Sequence, residues 1–129
     1  MEAFNAHDIE RFVGFRAESI VHHGPGLPEP LEGREALHEF AHGFLDAFPD
    51  VRMEKERAFG QGEWVTVEIT VKGTHEGLIE GPNGEPISAT NQRVSLRQCI
   101  VFKFQGGKIT EEREYYDQLD LLTQLHIPP

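Results

Sequence analysis

The chain has 129 residues and a single cysteine, and its 22 acidic against 12 basic side chains leave a formal charge of −10. That length supports one domain, residues 1–129, burying about two thirds of its unfolded surface around a core that needs no staples. The negative charge repels phosphate backbones and anionic lipid surfaces, so neither nucleic acid nor membrane is a predicted partner, and no stretch reaches transmembrane length. Cys99 alone cannot form an internal disulfide, and Met1 to His7 carries no signal-peptide pattern, which predicts a reducing, cytoplasmic address.

The first predicted element is an amphipathic helix from Asp8 to Ala17, with Asp8 as its cap and Ile9, Phe12, Val13 and Phe15 along its apolar side. A short strand, Ser19 to His23, follows. One of its two terminal histidines faces inward, and His22 shares a face with Ile20. Either His22 or His23 could donate to an enolate oxygen or orient a water, and either could equally be a satisfied structural histidine. Gly24 to Pro30 is rich in glycine and proline and reads as a loop at the mouth of a pocket.

Arg34 to Phe48 is the clearest helix, because Leu37, Phe40, Ala41, Phe44, Leu45 and Phe48 form one wide apolar stripe that Pro49 ends. His38 and His42 have the spacing of a metal pair, but they flank the stripe and no third ligand is signalled, so the metal reading is rejected. Val51 to Phe59 and Glu63 to Thr74 read as strands. The second places Val65, Val67, Ile69 and Val71 inward and Trp64, Thr66, Glu68 and Thr70 outward. A loop rich in glycine and proline, with a turn at Pro82-Asn83-Gly84, leads to a strand from Arg93 to Phe104. One face of that strand carries Val94, Leu96, Gln98, Ile100, Phe102 and Phe104, and Gln98 is its one polar member.

The last strand, Lys108 to Asp117, follows the two-residue hairpin loop Gly106-Gly107 and leads into a helical run from Gln118 to Leu125. If Phe104 sits opposite Ile109, counting outward sets Ile100 against Arg113, Gln98 against Tyr115 and Leu96 against Asp117. A bulge at the double glycine would move every later pair by one. In the unbulged register a carboxylate, a phenol, a guanidinium and an amide enter an otherwise apolar concavity, the arrangement a small-molecule proton-transfer site needs. Asp117 could instead serve only as the cap of the final helix. Phe12, Phe40, Phe44, Phe102 and Phe104 are candidates for lining a pocket, although core packing accounts for most of them.

The runs Asn5-Ala6-His7-Asp8-Ile9, Val21-His22-His23-Gly24-Pro25-Gly26, Leu31-Glu32-Gly33-Arg34-Glu35-Ala36, Phe48-Pro49-Asp50, Gly73-Thr74-His75-Glu76-Gly77 and Gly107-Lys108-Ile109 through Tyr116-Asp117-Gln118-Leu119 come in an order that resembles the SnoaL-like polyketide and ester cyclases of the NTF2-like superfamily. The likeness extends over nearly the whole chain. It implies an α+β cone, a curved and mostly antiparallel sheet with helices packed on its concave face, in a chain that is usually dimeric. It further implies an intramolecular aldol condensation without metal or organic cofactor, with an aspartate near the end of the last strand as acid and base. Asp117 occupies the matching position. Two departures stand out: the first helix is short at its amino end, and His23-Gly24 stands where the family often has an acid after the first-strand histidine.

The site read from the sequence thus has Asp117, His22 and Gln98 in catalytic roles and Tyr115, Arg113, His23, Phe44 and Leu96 against a hydrophobic, carbonyl-rich substrate. Epoxide opening and non-catalytic ligand binding are the alternatives, since one fold of this kind hosts several activities. Trp64, Cys99 and Val101, on the faces opposite the core, predict pairing of two copies through the outer sheet face.

Overall fold

The structure is a computed structural model and describes residues 1–80 and 84–128. In chain order it forms α1 (Glu2–Asn5), α2 (Ile9–Gly14), β1 (Arg16–His23), β2 (Leu31–Glu32), α3 (Arg34–Ala47), β3 (Arg52–Gln61), β4 (Trp64–Thr74), β5 (Ile79–Glu80), β6 (Pro86–Ile87), β7 (Arg93–Gln105), β8 (Lys108–Tyr115) and α4 (Gln118–Gln124). Six strands make one curved sheet in the order β2-β1-β8-β7-β4-β3, while β5 and β6 pair separately. All pairings are antiparallel except β1 with β8. Helices cover the concave face, giving the α+β cone that the resemblance implied.

Alternation explains why β4 and β7 sit at the centre of the sheet. Val71 lies opposite Leu96 and Ile69 opposite Gln98, so each strand offers one apolar face to the core. Two apolar clusters fill the cone: one gathers Phe4, Phe48, Val51, Ile69, Val94 and Leu125, the other Val13, Ile20, Leu37 and Ile109. The α3 stripe contributes to both, and Phe48 N–H still bonds the Phe44 carbonyl before Pro49 stops the helix. No helix of the described residues is long and apolar enough to cross a membrane.

The amino-terminal region differs from its sequence reading. The predicted helix from Asp8 to Ala17 stops at Gly14, and Arg16 already begins β1. Arg16 is 5% exposed, and from β1 its guanidinium reaches Glu112 in the interior. The preceding short helix α1 was not signalled by a cap; Asn5 ties it down by accepting from Met53 N–H and donating to the Met53 carbonyl, both across the fold. The turn expected at Pro82-Asn83-Gly84 lies outside the described residues apart from Gly84.

The decisive departure is in the β7–β8 hairpin. Gly106 and Gly107 have φ of 60° and 78°, the left-handed pair a two-residue hairpin loop requires, and Phe104 does face Ile109. The next pair is Lys103 with Glu111, so Thr110 is an extra residue on β8, and its hydroxyl donates to the Lys103 carbonyl at 3.4 Å. This bulge lies just beyond the loop and advances the register by one. Ile100 therefore faces Glu114, Val101 faces Arg113 and Cys99 faces Tyr115, replacing the unbulged pairs. A one-residue slip turns a strand over. Glu112 and Glu114 point into the cone, and Glu111, Arg113 and Tyr115 point out of it.

Candidate active site

A cavity of about 1170 Å³ opens between the helices and the sheet, with walls that are mainly apolar. Phe12, Phe40 and Phe44 from the helices face Val94 and Leu96 of β7 across it. Leu78 and Leu119, 66% and 58% exposed, belong to its wall and give it an apolar mouth. The Gly24 to Pro30 loop contributes Pro25, Leu27 and Pro28, in keeping with its reading as a rim.

Three polar groups lie together in the sheet wall: Gln98 of β7, Glu114 of β8 and Tyr116 just beyond β8. Gln98 is buried, and its Oε1 finds no hydrogen-bond partner among the described residues. The Tyr116 hydroxyl lies 3.5 Å from the Pro25 carbonyl. Burial, reinforced by the nearby Glu114 charge, pushes its pKa up to about 12, so the phenol keeps its proton and can donate. Glu39 and Glu80 also border the cavity, but both are exposed.

Behind Glu114 runs a buried chain of charged groups. Arg16 Nη2 donates to Glu112 Oε2 at 2.9 Å, and His22 Nδ1 donates to Glu112 Oε1 at 2.9 Å. His22 Nε2 then lies 3.7 Å from Glu114 Oε1. The parallel β1–β8 register makes this possible, because it sets His22 directly beside Glu112. An irregularity in β1 between Arg16 and Val21 separates Arg16 from that register. The guanidinium is sandwiched further, donating to the Phe12 carbonyl at 2.6 Å while lying 3.9 Å from the Phe12 ring centroid. Burial opposes the His22 imidazolium, but the hydrogen bond to Glu112 and the negative charges of Glu112 and Glu114 outweigh it and raise the pKa to about 9. Burial likewise opposes the Glu112 carboxylate, and the His22 and Arg16 partners win, holding its pKa below the ordinary value.

Among the residues singled out from sequence, Gln98, Phe44 and Leu96 line the cavity. His22 is on the inner face with Ile20, 6% exposed, yet it lies one layer behind the wall, against the Phe40 ring at 5.4 Å. Four residues are elsewhere. Arg113 turns outward and donates to Glu111 Oε1 at 2.7 Å, and His23 Nε2 approaches the same oxygen at 3.7 Å. Tyr115 is 54% exposed and opposes Cys99 rather than Gln98. Asp117 is exposed, outside the cavity wall, and its carboxylate accepts the Asp120 N–H at 3.1 Å as the cap of α4. All four follow from the Thr110 bulge or from the alternation of β1. His38 and His42 pair with Glu10 and Asp46, and no group of three metal-type ligands occurs among the described residues.

Sequence reasoning passed over Arg16, Glu112, Glu114 and Tyr116. For the last three the one signal was parity: Glu112, Glu114 and Tyr116 share a face just as Glu111, Arg113, Tyr115 and Asp117 do, and only the bulge selects between the two sets. Gly24 carries a further trace, since a Cβ there would sit 2.9 Å from Glu114 Oε1.

Comparison with known proteins agrees with the geometry at the level of family. A model of the SnoaL-like polyketide cyclases matches residues 1–125. The aklanonic acid methyl ester cyclase DnrD of Streptomyces peucetius is 25% identical over 133 residues, taking in 99% of this chain and 86% of DnrD. Among solved structures, AclR of Streptomyces galilaeus, proposed to be a hydroxylase, superposes with a TM-score of 0.82 at 26% identity, covering 99% of this chain and 90% of AclR. IdmH of Streptomyces antibioticus, proposed to be a polyketide cyclase, gives 0.79 at 23% identity, covering 98% and 92%, a likeness of fold. With its cone, its apolar cavity and a family match over nearly its whole length, the chain belongs to the SnoaL-like polyketide cyclase family.

Proposed function

We propose that the cavity is the active site of a cofactor-independent cyclase, a lyase or isomerase that closes a ring by intramolecular aldol-type chemistry on a hydrophobic, carbonyl-rich small molecule. Glu114 is the proposed general base and acid. The observation that carries this reading is its position: Glu114 is the carboxylate of the cavity wall whose side chain is only 15% exposed, with an imidazole behind it and a phenol and an amide beside it.

In the proposed reaction Glu114 removes a proton from a carbon between two carbonyls. The resulting enolate attacks a second carbonyl carbon of the same molecule, forming a carbon–carbon bond and an alkoxide. The protonated Glu114 returns its proton to that alkoxide, so the net change is an isomerisation. Tyr116 O–H and the Gln98 amide are placed to donate to the oxygens on which charge develops. The apolar wall holds the two reacting carbons together and keeps water out. Nothing in this cycle requires an external proton, electron or group.

The test is Glu114→Gln, assayed on a substrate identified from a panel of aromatic β-diketones and β-keto esters. A lost general base lowers turnover by about 10² to 10⁴ with binding retained. Asp117→Asn is the matched control: an amide still caps α4, so stability falls by about 1 kcal/mol at most and turnover stays near wild type. The reverse pattern, an inactive Asp117→Asn beside an active Glu114→Gln, would return the base to the end of the last strand.

A homodimer through the outer sheet face belongs to the same proposal. Phe59, Thr66 and Val101 lie in one row across β3, β4 and β7, and Phe59 and Trp64 are 60% and 41% exposed. Sedimentation at micromolar concentration should show a dimer that Phe59→Glu dissociates; a wild-type monomer would end that reading.

A further inference from the structure

We infer that Glu112 and His22 are positioning residues, which hold one oxygen of the Glu114 carboxylate and leave the other for the substrate. This rests on the reading of Glu114 as the proton-transferring group and explains how that group is set. A glutamate on a strand has three rotatable bonds, and a base that must meet a particular carbon needs them restrained.

The restraint is built from the interior outward. Glu112 can only accept hydrogen bonds as a carboxylate, so its contact with His22 Nδ1 places a proton on that nitrogen and fixes the plane of the ring. Arg16 fills the second oxygen of Glu112, which stops the carboxylate turning away. The Phe40 ring packs on the imidazole from α3. His22 Nε2 is then aimed at Glu114 Oε1 at 3.7 Å, and it is buried with no hydrogen-bond partner among the described residues. A buried N–H without a partner is costly, and Glu114 Oε1 is the acceptor within reach of a small rotation.

Oε1 is confined from a second side as well. The Gly24 backbone lies so close that an added Cβ would be 2.9 Å from Oε1 and 3.0 Å from the Glu114 Cγ. His22 and Gly24 therefore take the same oxygen, and Oε2 is the one that meets the substrate. The charged and titratable groups facing His22 are Glu112 and Glu114 from β8, with Arg16 of its own strand behind Glu112; α3 presents the uncharged Phe40 ring.

The restraint has a signature that needs no substrate. In the proposal His22 Nε2 donates to Glu114 Oε1, so Glu114→Gln should shift the His22 Nε2 resonance in nitrogen-15 NMR of the full chain, the signal being assigned by its loss in His22→Gln. Turnover gives the second readout. Glu112→Gln removes the group that holds His22, and His22→Gln removes the imidazole while keeping the Arg16–Glu112 pair. Each should lower kcat by about 10²-fold with KM near wild type, because an unrestrained carboxylate meets the reacting carbon less often. If Glu112→Gln is too destabilised to study, His22→Gln decides. An unmoved His22 Nε2 resonance in Glu114→Gln, or a His22→Gln protein with wild-type kcat, overturns the inference. Failure of the underlying reading looks different: Glu114→Gln would keep full turnover while the His22 resonance still moved.

Discussion

The two faces of β8 carry ion pairs of similar composition and different consequence. Outward, Arg113 donates to Glu111 at 2.7 Å with the guanidinium in contact with water. Inward, Arg16 donates to Glu112 at 2.9 Å with side chains only 6% and 3% exposed. An exposed pair gains little beyond what solvent already supplies. A buried pair is held in a low-dielectric setting, where removing one partner leaves an uncompensated charge. The strand thus shows that the contact itself does not set its worth; the surroundings do.

The sharpest way to break this comparison is a pair of substitutions that delete one guanidinium from each face. Arg16→Met should destabilise by about 3–5 kcal/mol, because Glu112 is left buried with His22 as its one cationic partner among the described residues. Urea unfolding checks this, and a change below about 1 kcal/mol would mean that the inner pair behaves like a surface pair. The same substitution at Arg113 should produce no resolvable shift in the urea midpoint.

A milder way is to titrate the inner chain. His22 has a folded pKa raised to about 9 from 6.5, so its stabilising contribution is complete below 6.5 and is lost as pH rises through 9. Glu112 has a folded pKa below 4.5, so its contribution is complete above 4.5 and is lost as pH falls through the folded value. Stability should therefore peak between about pH 4.5 and 6.5 and decline toward pH 10, by on the order of 3 kcal/mol from His22. His22→Gln should flatten the alkaline side. An alkaline decline that survives His22→Gln would assign it to another group.

The smallest expected effect sharpens the comparison at the cavity wall. Gly24→Ala should push the end of Glu114 aside rather than disturb the backbone, since the nearest atoms to the added methyl group are the carboxylate and Cγ of that side chain. Folding should be near wild type, with turnover reduced more than ligand affinity. Equal losses in both would mean that Gly24 shapes the binding surface and not the carboxylate.

Much of this molecule was legible from residue order. The α3 stripe, the alternation of β4 and β7, the Pro49 stop and the two-glycine loop are local signals, each set by periodicity or by φ, and each appears where the residues place it. Gln98 was legible as well, because a polar side chain interrupting an apolar row stands out without knowing its neighbours. The family likeness likewise follows from motifs in order.

What residue order could not supply was parity. Thr110 has no mark that sets it apart from any other strand residue, and the bulge exists because of how β8 must meet β7 on one side and β1 on the other. Placing Glu112 inward is unfavourable for an isolated strand; it becomes favourable only beside His22 and Arg16, which arrive from residues some ninety positions earlier in the chain. Local patterning decided which segments are strands and where they turn. Only the assembled sheet, by supplying partners for buried charge, decided which face of the last strand looks into the cavity.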